Sequence, residues 1–119
     1  MKRIIIAGCR NFEDYGIAKE FIKHILNTHY RNDDVTILSG GCKGADLLGE
    51  KYAAEYGLEL EIYKADWARY KKAAGPIRNR EMVSVCDGVI CFWDDKSRGT
   101  RSLIDLAKKN GKDIYIKKL

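Results

Sequence analysis

Five short runs of β-favouring residues punctuate the chain: RIIIAG from Arg3, VTILSG from Val35, LEIYKA from Leu60, GVICFW from Gly88 and DIYIKK from Asp113. Their Ile, Val, Leu and aromatic content in bursts of strand length predicts five strands. Between the first two lies YGIAKEFIKHILNTHY, where Ile17, Ala18, Phe21, Ile22, Ile25 and Leu26 recur at helical spacing and Lys19, Glu20, Lys23 and His24 occupy the other face. A second helix is predicted from Ala45 to Tyr56, stopped by Gly57. A third is predicted from Pro76 to Val85 and a fourth from Arg101 to Asn110, before Gly111. The stretch from Asp66 to Gly75 has no clear period and is read as one helical turn and a loop.

Strands that alternate with helices of this length require parallel pairing and right-handed crossovers, with helices on both faces of the sheet. The fold class is therefore α/β, a three-layer Rossmann-like sandwich with a mainly parallel five-stranded sheet. A chain of 119 residues with 45% hydrophobic content and a single proline has one core and no linker, so residues 1–119 are read as a single domain.

The opening MKRIIIAGCR carries an apolar run too short for a signal peptide, and no later stretch has membrane length. Cys9, Cys42, Cys86 and Cys91 show no C-x-x-C spacing, and three of them sit in or beside apolar segments as small hydrophobes. A cytoplasmic location with no membrane partner is expected. His24 and His29 are too far apart on their helix to share a face, and nothing completes a zinc set, so no metal and no cofactor are expected.

The net charge of +5 points weakly to an anionic partner; its placement says more. In a parallel sheet every strand-to-helix loop emerges on the carboxyl rim, where ligands bind at the switch in strand order. Four such loops carry glycine or cationic side chains. AGCRNF brings Gly8 and Arg10; SGGCKGAD brings Ser39, Gly40, Gly41, Lys43, Gly44 and Asp46; ADWARYKKAAGPIRN brings Trp67, Arg78 and Asn79; FWDDKSRGTRS brings Ser97, Arg98, Gly99 and Thr100. The third helix is expected to hold Arg78 and Arg80 in its first turn, Lys43 to precede the second helix, and Arg98 and Arg101 to flank the start of the fourth. A cation at a helix start costs about 0.3–1 kcal/mol, so their accumulation implies an anion held among them. A phosphorylated ligand is the natural occupant, its phosphate held by the glycine loop SGGCKGAD and the basic rim.

Plainer roles stand beside these. A G-G-x-x-G loop can be only a tight turn, since it is neither a Walker motif nor a full G-x-G-x-x-G. Asp46 can serve as a first-turn dipole partner or as a ribose ligand, Tyr70 is read as packing, and Trp67 as either a packing lid or a base-stacking platform. Asp94 and Asp95 fit a solvated turn.

Taken together, AGCRNF, SGGCKGAD, DWARYKKAAGPIRNREM and FWDDKSRGT resemble the YspA-type (YpsA-related) family of the SLOG superfamily, over nearly the whole chain. That superfamily is similar to Rossmann folds and includes the DNA-processing protein DprA and the Lonely Guy (LOG) phosphoribohydrolases. The resemblance implies a domain that binds nucleotides or their derivatives. Against the LOG enzymes, Gly40, Gly41 and Gly44 match a glycine loop, Arg78 a helix arginine, and Gly99 and Thr100 a glycine-threonine loop. The LOG catalytic glutamate has no match: Ser102 and Leu103 stand in its place, and Asp105 faces elsewhere. Glycosidic cleavage needs a placed carboxylate.

The leading reading is thus a nucleotide-binding module, a sensor rather than an enzyme. A nucleoside-phosphate hydrolase using Asp46, Asp94, Asp95 or Glu81 ranks second, and DprA-like nucleic-acid binding third. A homo-oligomer is left open.

Overall fold

The computed structural model describes the whole chain, Met1–Leu119. Strands β1 (Lys2–Gly8), β2 (Val35–Ser39), β3 (Glu59–Ile62), β4 (Gly88–Trp93) and β5 (Asp113–Lys118) form one sheet in the order β3-β2-β1-β4-β5, and every neighbouring pair is parallel. Helices α1 (Tyr15–His29), α2 (Ala45–Tyr56), α4 (Ala74–Val85) and α5 (Arg98–Lys109) link them, with a single turn α3 (Trp67–Tyr70) and a tight turn Lys71–Ala73 ahead of α4. No helix is long and apolar enough to cross a membrane.

The central strand explains its own composition. Side chains alternate across a sheet, so Ile4 and Ile6 face the α1 and α2 layer while Ile5 and Ala7 face the α4 and α5 layer. Both faces are covered, which is why β1 reads as an unbroken apolar run rather than an alternating one. On one side Ala18, Ile22, Ile25 and Leu26 of α1 and Tyr52 and Ala53 of α2 close the core; on the other Met82 and Val83 of α4 and Leu103, Ile104 and Ala107 of α5 do so. Ile22 is wholly buried, and cutting it to Ala would cost about 2–5 kcal/mol.

Helix starts depart from the sequence reading in two places. α4 begins at Ala74, so Pro76 lies inside its first turn, where a missing N–H costs nothing. Arg78 and Arg80 therefore fall in the second turn, and the expectation that they crowd the positive end of this helix is corrected. α5 begins at Arg98 rather than Arg101, because Ser97 caps it by accepting from the Thr100 N–H. α1 and α2 span the expected residues, and α2 ends at Gly57 in the left-handed conformation. β3 stops at Ile62, short of the expected Ala65.

The order β3-β2-β1-β4-β5 reverses direction at β1. From there the chain winds outward through β2 and β3, then returns to add β4 and β5 on the opposite side. The carboxyl ends of β1 and β4 therefore flank a crevice, since their departing loops turn to opposite faces.

Candidate ligand-binding cleft

A cleft of about 390 Å³ opens at this crevice. Its wall on the β1 side is clamped. The Cys9 N–H donates to the Phe92 carbonyl at 3.0 Å, and the Cys9 carbonyl accepts from Ala45 N–H at 3.2 Å and from Phe12 N–H at 3.3 Å. The Phe12 ring stacks on Phe92 with centroids 5.0 Å apart. The loop leaving β1 is thus fixed at both ends, and Arg10 and Asn11 stand at the cleft edge.

The glycine loop follows β2. Gly44 has φ of 78° and caps α2, and a β-carbon there would lie 2.3 Å from the Cys9 carbonyl and 2.5 Å from that of Arg10. Only glycine lets the two loops approach this closely. Gly40 is held less strictly: its β-carbon would fall 2.7 Å from Arg78 Nη1 and 2.8 Å from Asp46 Oδ2, the movable ends of two side chains. Gly41 differs. Its φ is 73°, but the missing β-carbon points toward Ile62 and Lys64, away from the cleft.

The loop's backbone donors are largely engaged from within. Gly41 N–H donates to Ser39 Oγ at 3.1 Å, and the Ser39 hydroxyl donates to Glu50 Oε2 at 2.7 Å. Cys42 N–H donates to Asp46 Oδ2 at 3.4 Å, and the Gly40 backbone also supports that carboxylate. Asp46 is 5% exposed. Burial pushes its carboxyl up to about 6, against the pull of Cys42 N–H, the Arg78 guanidinium and Gly40. Arg78 crosses from α4 to donate through Nη1 to the Gly40 carbonyl at 2.7 Å, while its Nε donates to Asn79 Oδ1 at 2.9 Å.

The opposite wall is the start of α5. Asp94 Oδ1 accepts from Lys96 N–H at 2.8 Å and Ser97 N–H at 2.9 Å, and these two bonds hold its carboxyl below the usual range. The Trp93 indole N–H donates to the Ser97 carbonyl at 3.2 Å, and the Ser97 and Thr100 hydroxyls lie 3.1 Å apart. The N–H groups of Arg98 and Gly99 fall in the first turn, where a helix offers them no internal acceptor. Gly99 itself is exposed and lines the cleft, and no atom lies within 4 Å of where its β-carbon would sit.

Of the residues singled out in the sequence, Gly8, Arg10, Asp46, Arg78, Asn79, Asp94, Ser97, Gly99 and Thr100 line this one cleft. Ser39, Gly40, Gly41, Lys43, Gly44, Trp67 and Arg98 do not. Ser39, Gly40 and Gly44 are buried supports of the loop, Lys43 and Arg98 are exposed on the rim beside it, and Trp67 is 51% exposed on α3. Asp95 and Glu81 are exposed outside the cleft, and Asp105 lies in a separate groove with Pro76 and Lys109. Asn11, Cys42 and Cys9 line the cleft without having been singled out as binding residues. Their position directly after β1 and inside the glycine loop was the available signal.

Leu103 faces the cleft and is 2% exposed, while Ser102 is exposed on the far side of α5. The wall that follows the glycine-threonine turn is therefore apolar.

The sequence profile of the YspA, cpYpsA-related SLOG family matches residues 2–70, more than half of the chain. The chain belongs to that family. The match takes in both the Arg10 loop and the glycine loop and stops at the end of α3, so the α4 and α5 contributions to the cleft lie beyond it. The Gene 61 protein of Mycobacterium phage D29 is 30% identical over 117 residues, covering 93% of this chain and 92% of the phage protein. Among solved structures, DNA processing protein A (DprA) from Streptococcus pneumoniae superposes with a TM-score of 0.74 at 20% identity, over 97% of this chain and 49% of that one. DprA from Helicobacter pylori, a structure described for its single-stranded DNA binding mode, superposes with a TM-score of 0.65 at 20% identity, over 97% of this chain and 64% of its own. The chain thus spans about half to two thirds of these DprA chains, and the likeness establishes a shared fold.

Proposed function

We propose that residues 1–119 act as one domain that binds a nucleotide or nucleotide derivative in this cleft and does not cleave it. The phosphate sits at the start of α5, against the Arg98 and Gly99 N–H groups and the Ser97 and Thr100 hydroxyls, with Arg10 and Arg78 supplying charge. The single observation that carries this reading is that both arginines and the first turn of α5 line one cleft at the reversal of strand order. Its volume of about 390 Å³ lies in the range of small-ligand sites. The rest of the ligand lies against Ala7, Met82 and Leu103, which are apolar.

Hydrolysis is the weaker reading. The carboxylates lining the cleft are Asp46 and Asp94, and each already accepts backbone N–H bonds from its own loop. The test is calorimetric titration of AMP at low salt, followed by chromatography of the mixture after overnight incubation. Saturable, salt-sensitive binding without free base is expected. Base release above a heat-killed control, lost in Asp46→Asn or Asp94→Asn, would make the protein a hydrolase.

A second reading has one observation in its favour. On the rim, Arg10, Lys43, Lys64, Arg69, Lys71, Lys72, Lys96 and Arg98 form no ion pair and outnumber the carboxylates Glu13, Asp14, Asp66, Asp94 and Asp95. That excess of positive charge suits a nucleic-acid backbone. H. pylori DprA shares this fold and binds single-stranded DNA. Affinity for a single-stranded oligonucleotide that exceeds AMP affinity and falls steeply with salt would favour this second reading.

A further inference from the structure

The cleft already contains an anion of its own. A loop built like Ser39–Gly44 presents successive backbone N–H groups to whatever negative group lies in its concavity. In this protein that group is the Asp46 side chain, which the chain delivers from the first turn of α2 to accept from Cys42 N–H, with the Gly40 backbone behind it. The same carboxylate lines the cleft and is almost fully buried. A ligand phosphate at the start of α5 would share this small space with it, and with Asp94.

Two buried negative groups in one cleft repel strongly, and the cheapest relief is to protonate the one that solvent stabilises least. The charges facing Asp46 do not remove the conflict. Arg78 of α4 attracts it; Glu50, one turn along α2, repels it; Cys91 of β4 is a neutral thiol beside it and Cys9 after β1 a neutral thiol against Asp94, both with pKa values that burial has raised; Arg10 and Asp94 line the same cleft. Arg78 already serves the Gly40 carbonyl and Asn79, which limits how far it can neutralise a second anion.

We propose that Asp46 occupies the glycine loop as a resident anion and takes up a proton from solvent when a ligand anion enters the cleft, so that anion binding strengthens as pH falls through neutrality. This rests on the anion-binding reading above and adds its regulation. Protonation keeps the loop intact, because a neutral carboxyl still accepts from Cys42 N–H through its carbonyl oxygen. The anions that remain in the cleft are then the ligand and Asp94.

Sulfate is the probe, because its own charge does not change across the range. Its affinity for the wild-type protein, measured by calorimetry at fixed ionic strength between about pH 5 and about pH 8, should fall roughly tenfold or more as pH rises. Asp46→Asn should bind sulfate with a nearly pH-independent constant, at least as tightly as wild type at the acid end. The Asp46 carboxyl carbon, followed by NMR, should titrate at higher pH with saturating sulfate than without it. A flat wild-type profile, an equal slope in Asp46→Asn, or an Asp46 titration that sulfate leaves unmoved would each overturn the proposal. Failure of both sulfate and AMP to bind at any pH would sink the nucleotide reading together with this one; AMP binding with a flat sulfate profile would sink this one alone.

Discussion

Arg78 Nη1 lies 2.7 Å from the carbonyl oxygen of Gly40, residues 38 apart in sequence, and this bond ties the second turn of α4 to the glycine loop. One guanidinium therefore serves both the cleft and the loop that borders it. The two roles separate by experiment.

Arg78→Ala should abolish AMP binding and also lower the stability of the free protein by about 1–2 kcal/mol, since a charge-assisted bond to a partly buried carbonyl is lost. Denaturant melts with and without AMP read both effects. An unchanged free-protein midpoint would mean that the Gly40 contact contributes nothing to stability.

Gly44→Ala should be severely destabilising. The β-carbon would meet two backbone carbonyls at 2.3 and 2.5 Å, at a φ of 78°. A loss of about 2 kcal/mol or more is expected, a fall in Tm of roughly 8 °C or more for a chain of this size. Gly57→Ala is the control, because its φ is 65° but nothing lies within 4 Å; it should cost about 1 kcal/mol. Equal Tm values for the two variants would show that the contact with the Cys9 and Arg10 carbonyls is not rigid.

The free protein should lose stability between about pH 4 and pH 6. Asp46 binds its proton more tightly folded than unfolded, with a folded value of about 6 against an ordinary 3.8, so in that window the native state holds more protons. Stability is fully present below the unfolded value and falls by up to about 3 kcal/mol as pH rises through the folded one. Asp94 works with the opposite sign, since its lowered value adds stability that is lost only as pH falls below the ordinary carboxylate range. Denaturation midpoints at several pH values check this. Asp46→Asn should flatten the fall, and an undiminished fall in that variant would assign it to another group.

Tryptophan emission should report the cleft through one of the two indoles. Trp93 bonds the Ser97 carbonyl beside the α5 start, while Trp67 stands exposed on α3. The change on adding AMP should persist in Trp67→Phe and vanish in Trp93→Phe. Trp67→Phe should also leave stability within about 0.5 kcal/mol of wild type. The reverse pattern would bring α3 into the site.

Much of this was legible in advance. β1 and β4 announced themselves because strands covered on both faces must be apolar throughout, as Ile4, Ile5, Ile6 and Val89, Ile90, Cys91 are. The end of α2 followed from Gly57. The start of α5 was missed because Arg101 looked like a beginning, whereas the Asp94 turn and Ser97 cap three residues earlier set it. The glycine loop reads in the sequence as a holder for a phosphate, but a carboxylate delivered by the next helix fills it, a contact that spacing alone does not reveal. Ser39 illustrates the same limit: its hydroxyl turns inward to Glu50 and never reaches the cleft wall.

The reversal at β1 has a consequence for the order of synthesis. Within this sheet β1 leaves the ribosome well before β4, yet the two are paired in a register that joins Ile4 to Gly88 and Gly8 to Phe92. A nascent chain that has reached only α3 can pair β1, β2 and β3 and cover one face with α1 and α2, while the other edge and face of β1 stay bare. The cleft between β1 and β4 is complete only when Arg98–Lys109 has emerged, so one wall of it is missing while every strand of the sheet except β5 has been made.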